Sequence, residues 1–209
     1  MNNNLTNYNL SCLLGLILAF GLSFSVNVFA GDGKIIATAG LAQVEGSGGG
    51  GLVPWATLSG YDTRDQISVG AFNTQVNVDD FRLQSWGMNA SFYDRIEVSL
   101  AQQTFDLTTL GGDIRQNIIG LKARLYGDVV YSQWPQIALG IQHKTLLDEG
   151  VAKAVIADKS DSGTDLYLAA TKVHLGLLCG YNVVWNVTLR ATKANEMGLL
   201  GYGGSKNKS

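Results

Sequence analysis

Along most of this chain apolar residues recur at every second position. Ile96, Val98 and Leu100 alternate with Glu97, Ser99 and Ala101, and Ile119, Leu121, Ala123 and Leu125 alternate with Gly120, Lys122, Arg124 and Tyr126. Ile137, Leu139 and Ile141 alternate with Gln136, Ala138, Gly140 and Gln142, and Val183, Trp185, Val187, Leu189 and Ala191 with Asn186, Thr188, Arg190 and Thr192. Strand side chains point alternately to two faces, so each segment presents one apolar face and one polar or small face. Less regular segments extend the series, and the pattern predicts nine strands: 34–44, 55–61, 66–77, 81–93, 96–103, 119–126, 136–144, 164–175 and 183–193. Phe81 and Leu83 share one phase while Trp86, Met88, Ala90 and Phe92 share the other, which predicts a bulge near Gln84 or Ser85. No segment longer than 151–158 looks helical, so the crossover helices of a parallel sheet are not expected.

The connections fall into two alternating sets. Residues 62–65, 94–95, 127–134 and 176–182 are short or modest turns, whereas the other set, 45–54, 78–80, 106–116, 145–163 and the stretch after Ala194, is, apart from the 78–80 turn, longer and richer in Gly, Asp and Ser. Short turns at one rim and long loops at the other are the arrangement of an outer-membrane barrel. The expected fold is therefore all-β, an antiparallel up-and-down transmembrane β-barrel. Trp55, Tyr61, Phe92, Tyr93, Tyr126, Tyr131, Trp134 and Tyr181 fall near expected strand ends, where interfacial aromatic girdles lie.

The first thirty residues change how the rest is read. Residues 1–30 contain no Asp, Glu, Lys or Arg, and an apolar run covers 13–24. A membrane helix needs about 20 such residues, so the run reads as the core of a signal peptide, with Val28 and Ala30 preceding cleavage before Gly31. The expected organisation is a signal peptide, 1–30, and a barrel domain, 31–209. Cys12 is discarded with the leader, which leaves Cys179 and excludes an internal disulfide scaffold. A formal net charge of −2 gives no basic surface for nucleic acid. Twenty-four of the 26 glycines follow Ala30, several of them inside expected strands: Gly70, Gly87, Gly120 and Gly140. Small residues facing a crowded lumen account for them.

Several stretches together carry a family likeness. They are 33–40 (GKIIATAG), 49–56 (GGGLVPWA), 63–67 (TRDQI), 93–103 (YDRIEVSLAQQ), 161–165 (DSGTD) and 188–195 (TLRATKAN). The chain resembles an uncharacterised family of Gram-negative bacterial proteins. That resemblance implies an outer-membrane β-barrel, porin-like in architecture, and brings no known activity. Barrels of this kind have an even strand count and end in an aromatic-terminated strand. Nine strands and the ending Lys206-Asn207-Lys208-Ser209 lead us to expect a C-terminally incomplete barrel.

Motifs for other chemistry fail on context. Gly46-Ser47-Gly48-Gly49-Gly50-Gly51 satisfies GxGxxG, but Leu52-Val53-Pro54-Trp55 starts no helix to hold a pyrophosphate, so a flexible surface loop is expected. Asp161-Ser162-Gly163-Thr164 matches the aspartic-protease tetrapeptide but lies among Asp158, Lys159, Ser160 and Asp165, as in a solvated loop. His143 and His174 lack neighbouring ligands, and no Gly-x-Ser-x-Gly elbow is present. No enzyme activity, cofactor or metal is expected.

What remains is the polar phase of the strands. Glu97, Lys122, Arg124, Gln142, Lys144, Thr188 and Arg190 are the candidate lumen-lining residues. Four bases against one acid favour small anions, unless the charges neutralise one another in a plugged barrel. The expectation is a passive pore or structural barrel whose partners are outer-membrane lipid and the barrel-assembly machinery; a soluble periplasmic small-ligand-binding barrel is the alternative. The two differ in which face of the strands points outward.

Overall fold

The computed structural model describes residues 41–78, 81–107, 112–147, 162–192, 194–195 and 198–202. The expected signal peptide and most of the 34–44 strand lie outside them. Seven strands form one antiparallel up-and-down sheet curled into a half-barrel: β1 (Ile67–Val78), β2 (Phe81–Phe92), β3 (Ile96–Leu107), β4 (Asp113–Tyr126), β5 (Gln136–Leu146), β6 (Ser162–Leu178) and β7 (Tyr181–Ala191). Each pairs with its neighbour in sequence. Two short strands, β8 (Ala194–Asn195) and β9 (Gly198–Tyr202), pair separately where a loop was expected. Among the described residues no helix is long and apolar enough to cross a membrane, which does not bear on crossing by strands.

The alternation separates the two faces. Leu121, Leu139 and Leu189 are 49%, 40% and 69% exposed on the convex face, while Lys122 and Gln142 on the concave face are 1% and 0% exposed. Three consecutive outward positions per strand are apolar: Ile67, Val69 and Ala71 in β1, Ile96, Val98 and Leu100 in β3, Ile137, Leu139 and Ile141 in β5, Val187, Leu189 and Ala191 in β7. In β1 to β4 these triplets share the same register rows. From β5 onward they slip one row toward the rim of the short turns, because Ile119 pairs with His143, which pairs with Thr164. An apolar band oblique to the register is what tilted strands produce when a sheet curls.

The turns follow from backbone chemistry. Tyr93 and Asp94 take positive φ (56° and 52°) between β2 and β3, and Cys179 and Gly180 do so (50° and 87°) between β6 and β7. Two consecutive left-handed residues make the type I′ turn whose twist matches a hairpin. The 176–182 loop expected from the sequence is thus a two-residue turn on lengthened strands. The bulge expected near Gln84 is absent: Gln75–Gln84, Thr74–Ser85 and their β3 partners pair without a shift. Phe81 and Leu83 point to the concave face, where the Phe81 ring stacks on Phe105 with centroids 5.6 Å apart. Register shifts fall instead at Arg124/Tyr126 and His174/Leu178.

Two further expectations need correction. Residues 55–61 are not a strand. Ala56, Leu58 and Ser59 are buried against the concave face, and side chains of the sheet rather than a ladder take the N–H and carbonyl of Ala56 and the N–H of Ser59. The glycine run is not a surface loop either, since 46–49 are buried there too. Among the described residues the sheet thus has seven strands, with an irregular segment, 41–62, along its concave face where the 55–61 strand was expected.

Candidate functional site

The concave face carries buried charges and amides among apolar side chains such as Ile114, Ile118 and Tyr167, and residues 41–62 lie along it. All seven residues singled out from the sequence lie on it. Glu97 of β3 and Lys122 of β4 are cross-strand partners and wholly buried, with Nζ 3.1 Å from Oε2. Glu97 also accepts from the backbone N–H of Gly48 (2.9 Å) and of Ser59 (2.6 Å). The Lys122 ammonium donates to the carbonyls of Gly48 (2.9 Å) and Thr57 (2.8 Å). A buried ion pair is tolerable only when its other lone pairs and protons are also satisfied, and here the glycine-rich backbone does this. Gly48 is needed for the approach: a Cβ there would lie 2.7 Å from Ser59 N and 2.8 Å from Thr57 O.

The remaining contacts repeat the theme of side chain to main chain. Ser85 and Gln103 donate to the carbonyl of Val44, Asn89 to that of Gly46, Gln136 to that of Ala56 and Thr188 to that of Pro54. Thr171 accepts from Ala56 N–H at 2.8 Å. At the short-turn rim Asp62 accepts from Ser68, Ser91 and Asp94 N–H. Each buried backbone group so paired avoids a desolvation cost of about 1–3 kcal/mol.

A second charged cluster surrounds Glu45, the single charged residue of 41–61. Lys144 donates to it, and Arg190 meets it in a fork, Nη1 to Oε2 at 2.9 Å and Nη2 to Oε1 at 3.2 Å. Asp165 of β6 shares Arg190 and lies 3.5 Å from Lys144. Burial alone would raise the Glu45 pKa, but Lys144 and Arg190 outweigh it and hold it below the ordinary value. Arg124 is paired separately at the rim, with Asp94 and, at 3.2 Å, with Asp128. Burial likewise raises the Asp128 pKa, and the N–H groups of Tyr131 and Val130 with Arg124 more than offset it.

The cation excess read from the strands is therefore absent: Lys122, Arg124, Lys144 and Arg190 all face carboxylates. Asp165 shares an alternation with Tyr167, Ala169 and Thr171 against Leu166 and Leu168, so its place was legible in the sequence. Glu45, Asp62, Asp94 and Asp128 lie outside the strands, where periodicity carries no signal. The strand glycines also face inward. Gly140 leaves room for the Tyr167 ring, Gly120 for the Ser99 hydroxyl and Gly70 for Asn89.

The other motifs gather nothing around them. His143 Nδ1 lies 3.0 Å from Thr164 Oγ1, and Trp185 Nε1 donates to His174 Nε2 at 3.1 Å. Asp161 falls outside the described residues. Among the described residues no three His, Cys, Asp or Glu side chains are placed to hold a metal ion. A family model described as protein of unknown function (DUF3034) matches residues 38–209. The chain belongs to this family. The match spans every described strand of this DUF3034 protein and its inner segment from Leu41. Comparisons with curated proteins and with solved structures find no match.

Proposed function

We propose that this DUF3034 protein is an outer-membrane β-barrel protein, acting as a structural barrel or as a pore closed by its own residues 41–62. The observation that carries the reading is the polarity of the sheet: apolar triplets outward on seven consecutive strands, and the ion pairs and amides, together with Ile114, Ile118 and Tyr167, inward. Three apolar rows over seven strands, at ~4.8 Å between strands and ~6.6 Å between rows, cover roughly 600–700 Å². The largest apolar patch of a soluble monomer is typically about 300–600 Å². A soluble ligand-binding barrel carries the opposite polarity, with an apolar interior and a wetted exterior.

Aromatic placement adds support. Tyr61, Tyr93, Tyr126, Tyr131, Trp134 and Tyr181 are exposed around the short-turn rim, the position of an interfacial girdle. Trp55, counted among them from the sequence, instead belongs to the inner segment, where its ring lies against Gly50. In this reading the export signal delivers the chain to the barrel-assembly machinery, the convex band meets lipid, and no anion selectivity arises while Glu45 balances the lining. Membrane fractionation with heat-modifiable gel migration tests it. Retention in urea-washed membranes with a faster-migrating unboiled band is expected; recovery in the salt-washed soluble fraction overturns the proposal.

A further inference from the structure

We infer that Lys144 and Arg190 form a carboxylate-binding site on the concave face, held in this structure by the chain's own Glu45, so that a small carboxylate anion from solution competes with residues 41–47 for it. The geometry is specific to that ligand class. Arg190 presents its planar fork to both oxygens of one carboxylate, the arrangement a guanidinium makes with a carboxylate, while Lys144 reaches the Oε1 side. Asp165 already engages both cations, so removal of Glu45 leaves two positive charges against one negative. A monoanion restores the balance.

A buried donor stands unused beside the fork. Gln142 Oε1 accepts from Arg190 Nη2 at 3.2 Å, whereas its Nε2, on a side chain 0% exposed, has no hydrogen-bond partner. An incoming carboxylate supplies the acceptor that Glu45 does not. Apart from Glu45 itself, the stretch 43–46 meets the sheet through uncharged groups, and its Val44 N–H donates to Gly51 O at 2.8 Å. Neutral hydrogen bonds to the carbonyls of Val44 and Gly46 hold its main chain, and Gly46 sits at φ 98°. From Gly48 onward the segment is clamped separately by the Glu97–Lys122 pair, at Gly48 N and O, Thr57 O and Ser59 N. None of this depends on whether the convex face lies in lipid.

The test uses the detergent-solubilised full chain with Cys12→Ser and Cys179→Ser and one of two reporters, Ser47→Cys or Ser59→Cys, both buried positions. The rate of modification by a charged maleimide is compared in sodium acetate and in sodium chloride of equal ionic strength at neutral pH. Acetate is expected to speed labelling at position 47 about fivefold or more over chloride, with position 59 changed less than about twofold, because a ligand shifts only the equilibrium in which its affinity differs. Glu45→Gln is expected to speed labelling at 47 in chloride by about tenfold or more and to abolish the acetate effect. Equal rates in acetate and chloride, no acceleration by Glu45→Gln, or a parallel rise at both reporters overturns the inference. Fractionation of the same variants is scored apart: a soluble protein contradicts the barrel proposal and leaves the carboxylate result standing.

Discussion

Lys122 and Glu97 show most clearly what holds the inner segment down. Each is buried, each faces the other across β3 and β4, and each also binds the main chain of residues 48–59. Removing one partner strands the other charge away from water. Lys122→Ala is therefore expected to lower unfolding stability by about 3–5 kcal/mol, and Glu97→Gln combined with Lys122→Met by much less, measured by denaturant titration of the detergent-refolded protein. Glu45 and Asp128 set a pH dependence. Their folded pKa values lie below the ordinary carboxylate values of 4.5 and 3.8, so the unfolded chain takes up protons first as the solution is acidified. The stability they contribute is complete above those values and is lost as pH falls through the lowered folded values. The denaturation midpoint should drop on titration from neutral pH to below about 4, and Glu45→Gln should flatten that drop.

The glycine-rich segment and the hairpin turns are decided by backbone geometry. Gly48→Ala would place a methyl group against Ser59 N, Thr57 O and Glu97 Oε2, two of them backbone atoms that cannot swing aside. A loss of about 1–3 kcal/mol is expected, with faster proteolysis within 41–62 than in the parent. Gly180→Ala meets no neighbour, but it forces a side chain into φ 87° and should cost about 1–2 kcal/mol, with Gly180→Asn costing less. The seven strands were legible in the sequence because the period of two survives wherever one face must differ from the other. Residues 55–61 misled for a physical reason. Trp55, Ala56, Leu58 and Tyr61 look strand-like, yet Thr171, Gln136, Lys122 and Glu97 satisfy the backbone of 56–59 from the sheet, so no ladder forms there.

For the molecule as a whole, the same seven polar positions read from the strands share one face. What the pattern could not convey was that a neutral-looking glycine run, 46–51, supplies the complement to that face. The four most regular strands carry four bases and one acid on this face; Glu45, Asp62, Asp94 and Asp128 arrive from outside the strands and Asp165 from β6, outside those four. In the proposed barrel the ion pairs lie inside and most of the aliphatic rows outside, a polarity that suits apolar surroundings. The most direct measurement places a bimane fluorophore at Leu121→Cys, Leu139→Cys or Thr188→Cys, in a Cys179→Ser background reconstituted into bilayers containing chain-brominated lipid. Quenching by the brominated chains at positions 121 and 139, and none at 188, is the predicted result; quenching of 121 and 139 by aqueous iodide instead, with the brominated lipid silent, would contradict a lipid-facing convex sheet.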